Sequence, residues 1–506
     1  MKKLIALLLI LVMAVATIAC GNDAPDTPDA PDTPTTPSDT PSDESGDPNE
    51  PERIPLELPD RDLTGGKVHI IQWSVSGIVD SGTGWIPWEE GDVVEYLGSI
   101  MDQAVYARNA WVEEQLGVTI TAEYVSVNQG YDNRLRQDYT TSGNEFQLAT
   151  LRSRNVWPLI ETGMYVDMNQ YAGEILHTDQ PWWPADAVAS YTLGDSLYVC
   201  VTEMLMRDKG ATSCVFFNTR IANDHGMNYF YDLVENQEWT MEYMISAGEV
   251  VATSLDGDDL MNSARDLWGV EGGEASYQLY VGGGYKFAHI DDDGYLAYDF
   301  GTPETILAMQ RIYEDYMYQD WNYISHMPVA DAPSEGGLFL IEQALFANMG
   351  IKNGYLDYRK METDYGILPV PMLEEGQDRY YSLVAVHHDS TVGIPAGALD
   401  PELAATVLEM ISYDSYYTVR PVLYETLLLN RLAKSEESKR SLEIVLDTRV
   451  YDPGQYWDLE NNLQGGKGFF RLSQTGNANI ASVWDSWEGA TMEQVGVVND
   501  FIKATK

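Results

Sequence analysis

Apolar residues fill positions 4–18 almost without a break, behind Lys2 and Lys3. A run of roughly 15 residues falls short of the about 20 that span a bilayer. A short cationic segment followed by such a run has the form of a signal peptide, here residues 1–19. The pattern then reverses. Residues 21–59 are Pro, Asp, Thr, Ser and Glu with almost no apolar side chains. Pro25, Pro28, Pro31, Pro34 and Pro37 recur at every third position, the repeat of polyproline II. Such a segment cannot bury enough apolar surface to offset chain entropy, and its carboxylates repel one another. Residues 20–62 are therefore expected to form an unfolded, extended tether.

From residue 63 the pattern is that of a folded body. Val68, Ile70 and Ile71 mark a strand over 68–72, after Gly65, Gly66 and Lys67. Ala104, Val105, Ala110, Trp111 and Leu116 recur at helical spacing, so 102–116 reads as a helix that Gly117 stops. The β-branched run 118–125 predicts a second strand, 134–139 a helix, and 146–151 a third strand. Strands alternating with helices predict parallel α/β layers. Ligands of such sheets gather at the carboxyl ends of the strands. Further on, 218–343 reads as mainly helical with aromatic loops, 367–371 and 383–386 as strands, and 401–413 and 424–434 as helices. The stretch 451–486 is rich in loops. No internal repeat is visible. A body of this length exceeds one hydrophobic core, so two domains or lobes are expected.

Composition narrows the function. The formal net charge is −49, which excludes nucleic acid as a partner, since binding it needs clustered Lys and Arg. Anionic ligands are disfavoured as well, unless a local basic pocket overrides the global charge. The chain has 32 Tyr and 13 Trp against 11 Phe. Tyr and Trp pair a flat apolar face with a polar handle, which suits polar ligands such as sugars, although most must serve as core. Besides Cys20 there are only Cys200 and Cys214. They fall in two strand-like runs, 197–202 and 213–217, which could pair as neighbours. The reading leaves open a Cys200–Cys214 disulfide, permitted outside the cell, or two small buried thiols.

Catalytic signatures are missing. The sequence has no GxSxG, HExxH or Walker loop. Gly282, Gly283 and Gly284 form a turn without the surroundings of a phosphate cradle. His387 and His388 are adjacent, and neighbours in a strand face opposite ways, so no metal site is expected there. Asp256, Asp258, Asp259, Asn262 and Asp266 hint at a calcium loop, but position 267 is Leu where an EF-type loop wants Glu. Asp291, Asp292, Asp293 and Gly294 read as a charged turn. A glycosidase needs two carboxylates facing one cleft. Among 79 acidic residues no pair stands out. The expectation is a protein without catalytic residues, metal or cofactor.

Two resemblances complete the reading. Thr17, Ile18, Ala19 and Cys20 resemble the lipobox of bacterial lipoproteins, whose cysteine is acylated. The body resembles the sugar-type bacterial extracellular solute-binding proteins (family 1), the lipoprotein receptors of ABC importers. The similarity rests on phrases in a fixed order. Leu63, Thr64, Gly65, Gly66, Lys67 and Val68 are similar to the family's opening strand. Arg108 and Asn109 with Glu113, Glu114, Gln115, Leu116, Gly117 and Val118 resemble its helix-to-strand passage. Pro181, Trp182 and Trp183, then Gly194, Asp195, Ser196, Leu197 and Tyr198, resemble "PWW…gdklY". Phe216, Phe217 and Asn218 resemble "lyfN". Tyr231, Asp232, Leu233 and Val234 with Glu238, Trp239 and Thr240 resemble "YdlV..GeWT". Asp364, Tyr365, Gly366, Ile367, Leu368 and Pro369 resemble "dyGilP". The stretch 204–212 departs from the family as a polar, charged insertion.

The resemblance implies a two-lobed periplasmic-binding-protein-like α/β fold with a hinge. Its crossings are expected near 200–204, near 368–371 and after Pro421. The N-terminal lobe would hold 63–202 and 370–435, and the C-terminal lobe 203–369 and 436–506. It further implies a monomer on the outer face of the cell membrane, anchored only by a lipid on Cys20. Such a receptor captures a carbohydrate, most simply an oligosaccharide, for ABC permease subunits. The alternatives are a surface glycan-binding protein or a glycoside hydrolase. Sugars are held by aromatic faces and by planar polar side chains. Candidates after strands or at crossings are Trp73, Arg154, Trp157, Glu203, Trp182, Trp183, Tyr381, His387 and Trp484. Core packing is the competing role for each aromatic, and Trp239 reads as structural.

Overall fold

The computed structural model describes residues 53–74, 91–126, 131–255, 257–272, 275–324, 337–427, 435–457, 472 and 479–506. The signal segment, Cys20 and the tether as far as residue 52 lie outside the described residues. Among the described residues no helix is long and apolar enough to cross a membrane.

In chain order the principal elements are β1 (Lys67–Ser74), α1 (Gly91–Leu116), β2 (Thr119–Ser126), α2 (Tyr131–Thr141), β3 (Leu148–Arg152), α3 (Arg207–Ala211), β4 (Ser213–Asn218), α4 (Met241–Val251), β5 (Trp268–Glu271) and α5 (Ala275–Gly282). They continue with β6 (Asn322–Tyr323), β7 (Ala344–Gly350), α6 (Ile351–Leu356), β8 (Tyr365–Leu368), β9 (Ser382–Leu383), β10 (Ser390–Gly393), α7 (Pro401–Tyr417), α8 (Val419–Leu427), α9 (Glu436–Asp447), β11 (Arg449–Val450) and α10 (Ile480–Thr505).

One sheet has the order β10-β3-β1-β2. β1 is central and parallel to both neighbours, with Ile70 opposite Ala122 and Leu148. Val68 and Ile70 point to one face of the sheet and Ile71 to the other, and all three are buried, so both faces of β1 are covered. α1 lays Met101, Val105 and Val112 into the core and packs on α7 and α8. Gly117 ends α1 at φ +65°, a left-handed position that suits glycine. Its carbonyl accepts from Gly65 N at 2.7 Å, which leads the chain's entry into β1 past the helix end.

The second sheet has the order β8-β4-β7-β5-β6. β4 lies between two antiparallel partners and is buried along its whole length. β5 is parallel to β7 and β6. α4 crosses β5 closely, because a Cβ on Gly269 would stand 2.5 Å from the Gly248 carbonyl oxygen. Trp239 is buried just before α4 and donates from Nε1 to the Pro369 carbonyl at 2.9 Å.

The chain passes between the sheets three times: from β3 to β4, from β8 to β10, and from α8, packed on α1, to α9, packed on β8. The passes are hydrogen-bonded to one another. Ala385 N donates to Ala211 O at 3.0 Å, and Val384 N donates to Val450 O at 3.0 Å. β9 and β11 pair in parallel beside them. A hinge made of adjacent extended segments bends at few dihedrals while keeping its lateral bonds. α10 runs along the hairpin Ala288–Ile290 and Leu296–Tyr298, and its Phe501 also meets Trp157 and Tyr198.

Several expectations are corrected. The tether was expected to extend to residue 62, but 53–62 lies against α7. Arg53 pairs with Asp414 at 2.8 Å, Arg61 pairs with Asp400, and Leu56 and Leu58 pack on the core. These two Leu and two Arg supply contacts that the Pro-Asp-Thr stretch lacks. The 197–202 run is not a strand. Cys200 makes a single bridge with Val392, while Cys214 lies in β4 opposite Met349. The two runs therefore do not pair, and both thiols are free and buried. The first helix begins at Gly91, not near 102, and the 218–343 stretch contains β5, β6 and a hairpin. Of the helix expected at 424–434, α8 ends at Leu427 and 428–434 lies outside the described residues.

Candidate functional site

The carboxyl ends of β1 and β3 meet the three passes and the carboxyl end of β7. Trp73, near the end of β1, is 1% exposed, and its Nε1 donates to Ser390 Oγ at 2.8 Å. Its ring carries the Arg207 guanidinium 4.0 Å from the centroid, with that of Arg152 at 5.7 Å. Trp73 is thus a platform for cations, at the distance where the ring quadrupole attracts them. Arg152, the last residue of β3, donates from Nε to the His387 carbonyl at 2.6 Å. Arg154 Nη1 lies 3.2 Å from His387 Nδ1.

On the other side, β7 delivers Asn348 and runs directly into α6, which carries Lys352 and Asn353. Together with Ser213, Gln278 and His388 they line a cavity of about 120 Å³. Asn348 is 2% exposed, and its Oδ1 accepts from Tyr316 OH at 2.8 Å. Its Nδ2 has no hydrogen-bond partner among the described residues, and neither has Gln278 Oε1. A buried donor and a buried acceptor beside one cavity are suited to a hydroxyl-bearing ligand. Burial, then Lys352, His387, Arg152 and Arg207, push His388 well below the ordinary histidine range, so it is neutral at neutral pH.

Behind the cavity lies a buried ion network built on α3. Lys209 Nζ is 3.0 Å from Glu203 Oε2 and 3.0 Å from Asp208 Oδ1. Arg449 Nη1 reaches Asp208 Oδ2 at 3.2 Å, and Tyr451 OH donates to the same oxygen at 3.0 Å. Asp389 accepts from Ser153 Oγ at 2.9 Å and from Ser390 N at 2.7 Å. Burial, reinforced by Asp208, pushes its carboxyl up to about 8.

The Asp389 shift fixes a pH dependence. The folded state holds this proton to about pH 8, whereas the unfolded chain releases it near about pH 4. Between those values unfolding releases a proton. Stability therefore falls as pH rises, by up to about 1.4 kcal/mol per unit from this site, and is independent of pH outside the window. Asp389→Asn carries no such proton. Urea unfolding at about pH 5 and about pH 8 should show a smaller difference for the variant than for the parent. An unchanged difference would place the ionisation elsewhere.

The structure brings Trp73, Arg154 and His387 together at this site, with Glu203 behind them in the ion network. The other candidates lie elsewhere. Trp182 and Trp183 are buried and donate their Nε1 protons to Glu409 at 2.8 and 2.9 Å. Trp157 is buried against Trp457 and Phe501. Trp484 packs on Tyr298 and Phe300. Tyr381 is half-buried beneath Arg379 and donates to Asp378. In this structure the buried four have no open face for a ligand, because long-range packing covers them. Sequence reasoning missed Arg152, Arg207, Lys352, His388, Asn348 and Gln278. Two signals were present: the charged insertion 204–212 and the adjacent His387 and His388.

The suggested calcium loop is a backbone clamp. Buried Asp266 accepts from Leu255 N, Asn262 N and Ser263 N at 2.9–3.0 Å. Asp256 lies outside the described residues. Among the described residues no three His, Cys, Asp or Glu side chains are grouped to hold a metal.

No family model matches the chain. No curated protein matches its sequence. Solved structures do match in fold. The cyclic alpha-maltosyl-1,6-maltose binding protein of Arthrobacter globiformis aligns with a TM-score of 0.55 at 15% identity, over 86% of this chain and 100% of that one. An ABC substrate-binding protein of Listeria monocytogenes in complex with cycloalternan aligns at 0.51 and 12%, over 85% and 99%. A cyclo/maltodextrin-binding protein complexed with maltotetraose aligns at 0.51 and 12%, over 87% and 99%. The chain thus has the two-lobed α/β fold of the solute-binding-protein type.

Proposed function

We propose that this chain is the capture component of an ABC importer for a carbohydrate, held at the outer face of a bacterial membrane by a lipid on Cys20. The observation that carries the reading is the polar cavity at the strand ends, bordered by two of the passes and lined by an unpartnered buried donor and acceptor. The fold supports it, since the similar structures are named for sugar binding or hold a saccharide. Arg154 and His387, with Gln278, Asn348, Lys352 and His388, are the proposed contacts. Closure of the lobes about the passes would desolvate these bonds and shift an open–closed equilibrium. The closed form would then dock on permease subunits. The cycle involves no covalent step.

A thermal-shift screen of the purified chain against mono- and oligosaccharides tests this. A ligand at about 100 times its Kd adds roughly 2.7 kcal/mol to stability. A shift with one saccharide that persists on long incubation supports capture. Slow release of reducing ends would point to the hydrolase instead. No shift with any saccharide would overturn the carbohydrate reading.

A further inference from the structure

A polar atom left unpaired in a protein interior costs free energy, so such atoms are uncommon. Two of them line the cavity at the strand ends. Asn348 on β7 is 2% exposed and Gln278 on α5 is 5% exposed. Asn348 Oδ1 already accepts from Tyr316 OH at 2.8 Å, which leaves its Nδ2 as a donor to be satisfied. Gln278 Oε1 is an acceptor to be satisfied. Neither atom has a hydrogen-bond partner among the described residues.

The pair sorts ligand groups by their chemistry. A group that satisfies both must accept from Asn348 and donate to Gln278. A carboxylate only accepts, and an ammonium only donates. A hydroxyl and a secondary amide each do both. Size and lining separate these two. The cavity of about 120 Å³ has room for roughly four waters at about 30 Å³ each, and falls short of the about 300 Å³ at which pockets for whole ligands begin. It therefore suits a substituent of a sugar, not a whole sugar. A lone hydroxyl would leave most of it empty. An acetamido group has the heavy atoms to fill it: nitrogen, carbonyl carbon, oxygen and methyl carbon. The methyl also has apolar company, since Ala211, Met349 and Ala385 are among the lining residues.

We propose that the carbohydrate captured here carries an acetamido group, as in the N-acetylhexosamines, and that this group enters the cavity. Its carbonyl accepts from Asn348 Nδ2, its N–H donates to Gln278 Oε1, and its methyl lies against the apolar wall. A planar amide points its donor and its acceptor in opposite directions, so the site reads the substituent and leaves the sugar ring outside the cavity. The inference rests on the carbohydrate reading above and narrows it.

Isothermal titration of the purified chain tests it with sugars matched at one substituent: N-acetylglucosamine against glucosamine and glucose, N-acetylgalactosamine against galactosamine and galactose, and di-N-acetylchitobiose against cellobiose. At least one acetamido sugar should bind about tenfold tighter than its hydroxyl and amine counterparts, because only the amide pairs both buried atoms and fills the cavity. Gln278→Met keeps the side-chain length and removes the acceptor. Asn348→Asp keeps the oxygen that Tyr316 uses and removes the donor. Each should lower the acetamido-to-hydroxyl affinity ratio about tenfold. Unliganded melting temperatures show whether a variant is folded. If either is not, the ratio in the parent chain decides alone. A hydroxyl sugar that binds as tightly as its acetamido counterpart would overturn this inference and leave the carbohydrate reading standing. Binding of no saccharide at all would overturn both, and binding of alanyl-alanine in that case would assign the amide site to a peptide.

Discussion

Lys209→Met should destabilise the protein by about 3–5 kcal/mol, measured by urea unfolding near neutral pH. Lys209 is fully buried on α3 and lies 3.0 Å from each of two buried carboxylates, on Glu203 and Asp208. Its Nζ also donates to the Leu205 carbonyl at 3.1 Å. Methionine has a similar length and shape, so the change removes charge more than volume. The two carboxylates would then lose their close ammonium, with Arg449 left beside Asp208 and Arg420 acting on Glu203. Breaking a buried network by deleting one partner leaves an uncompensated buried charge, which costs more than the intact network contributes. The network spans the first pass and β11, so the loss should also disturb the hinge. A loss below about 1 kcal/mol would mean that water reaches these carboxylates and replaces the ammonium.

Glu409→Ala should cost a similar amount, about 3–5 kcal/mol. Glu409 is 0% exposed on α7 and is a hub for four donors. It accepts from the indole N–H of Trp182 and of Trp183, from His177 N at 3.2 Å, and it lies 3.0 Å from His177 Nδ1. Burial raises its carboxyl above the ordinary range, against the pull of these donors. Alanine strands several donors in a dry site and leaves a void. Glu409→Gln preserves the volume and one acceptor oxygen but turns an amide N–H toward a donor, so its loss should be intermediate. Urea unfolding followed by tryptophan fluorescence reads both variants. Equal stability of Gln and Ala would show that acceptance by both oxygens, not shape, is what Glu409 supplies, and a Gln variant as stable as the parent would show the reverse.

The Glu409 hub shows where the sequence stops being legible. Adjacent tryptophans followed by polar turns resemble a sugar-binding platform. Their role is set by a carboxylate 226 and 227 positions away, which local patterning cannot reveal. Trp73 behaves in the same way, since its ring is covered by Arg207 from the first pass. By contrast, β1 and β3 were readable, because a strand buried on both faces needs a continuous apolar run, and the half-exposed edge strand β2 was readable from its β-branched residues. The end of the tether was misplaced because Arg53, Leu56, Leu58 and Arg61 acquire their value only when α7 is beside them.

The sequence alone determined what depends on local period and composition. It determined the apolar leader, the proline-spaced acidic segment, the alternation of strands and helices, and a body too large for one core. Tertiary structure decided which side chains share a site. Arg152 at the end of β3, Arg154 after it, Arg207 in α3, Lys352 in α6, and His387 and His388 in the second pass are scattered along the chain. They meet because each sheet orders its strands out of sequence and the passes bind side by side. A net charge of −49 is a sum over the whole chain, whereas a ligand responds to the few charges within a Debye length.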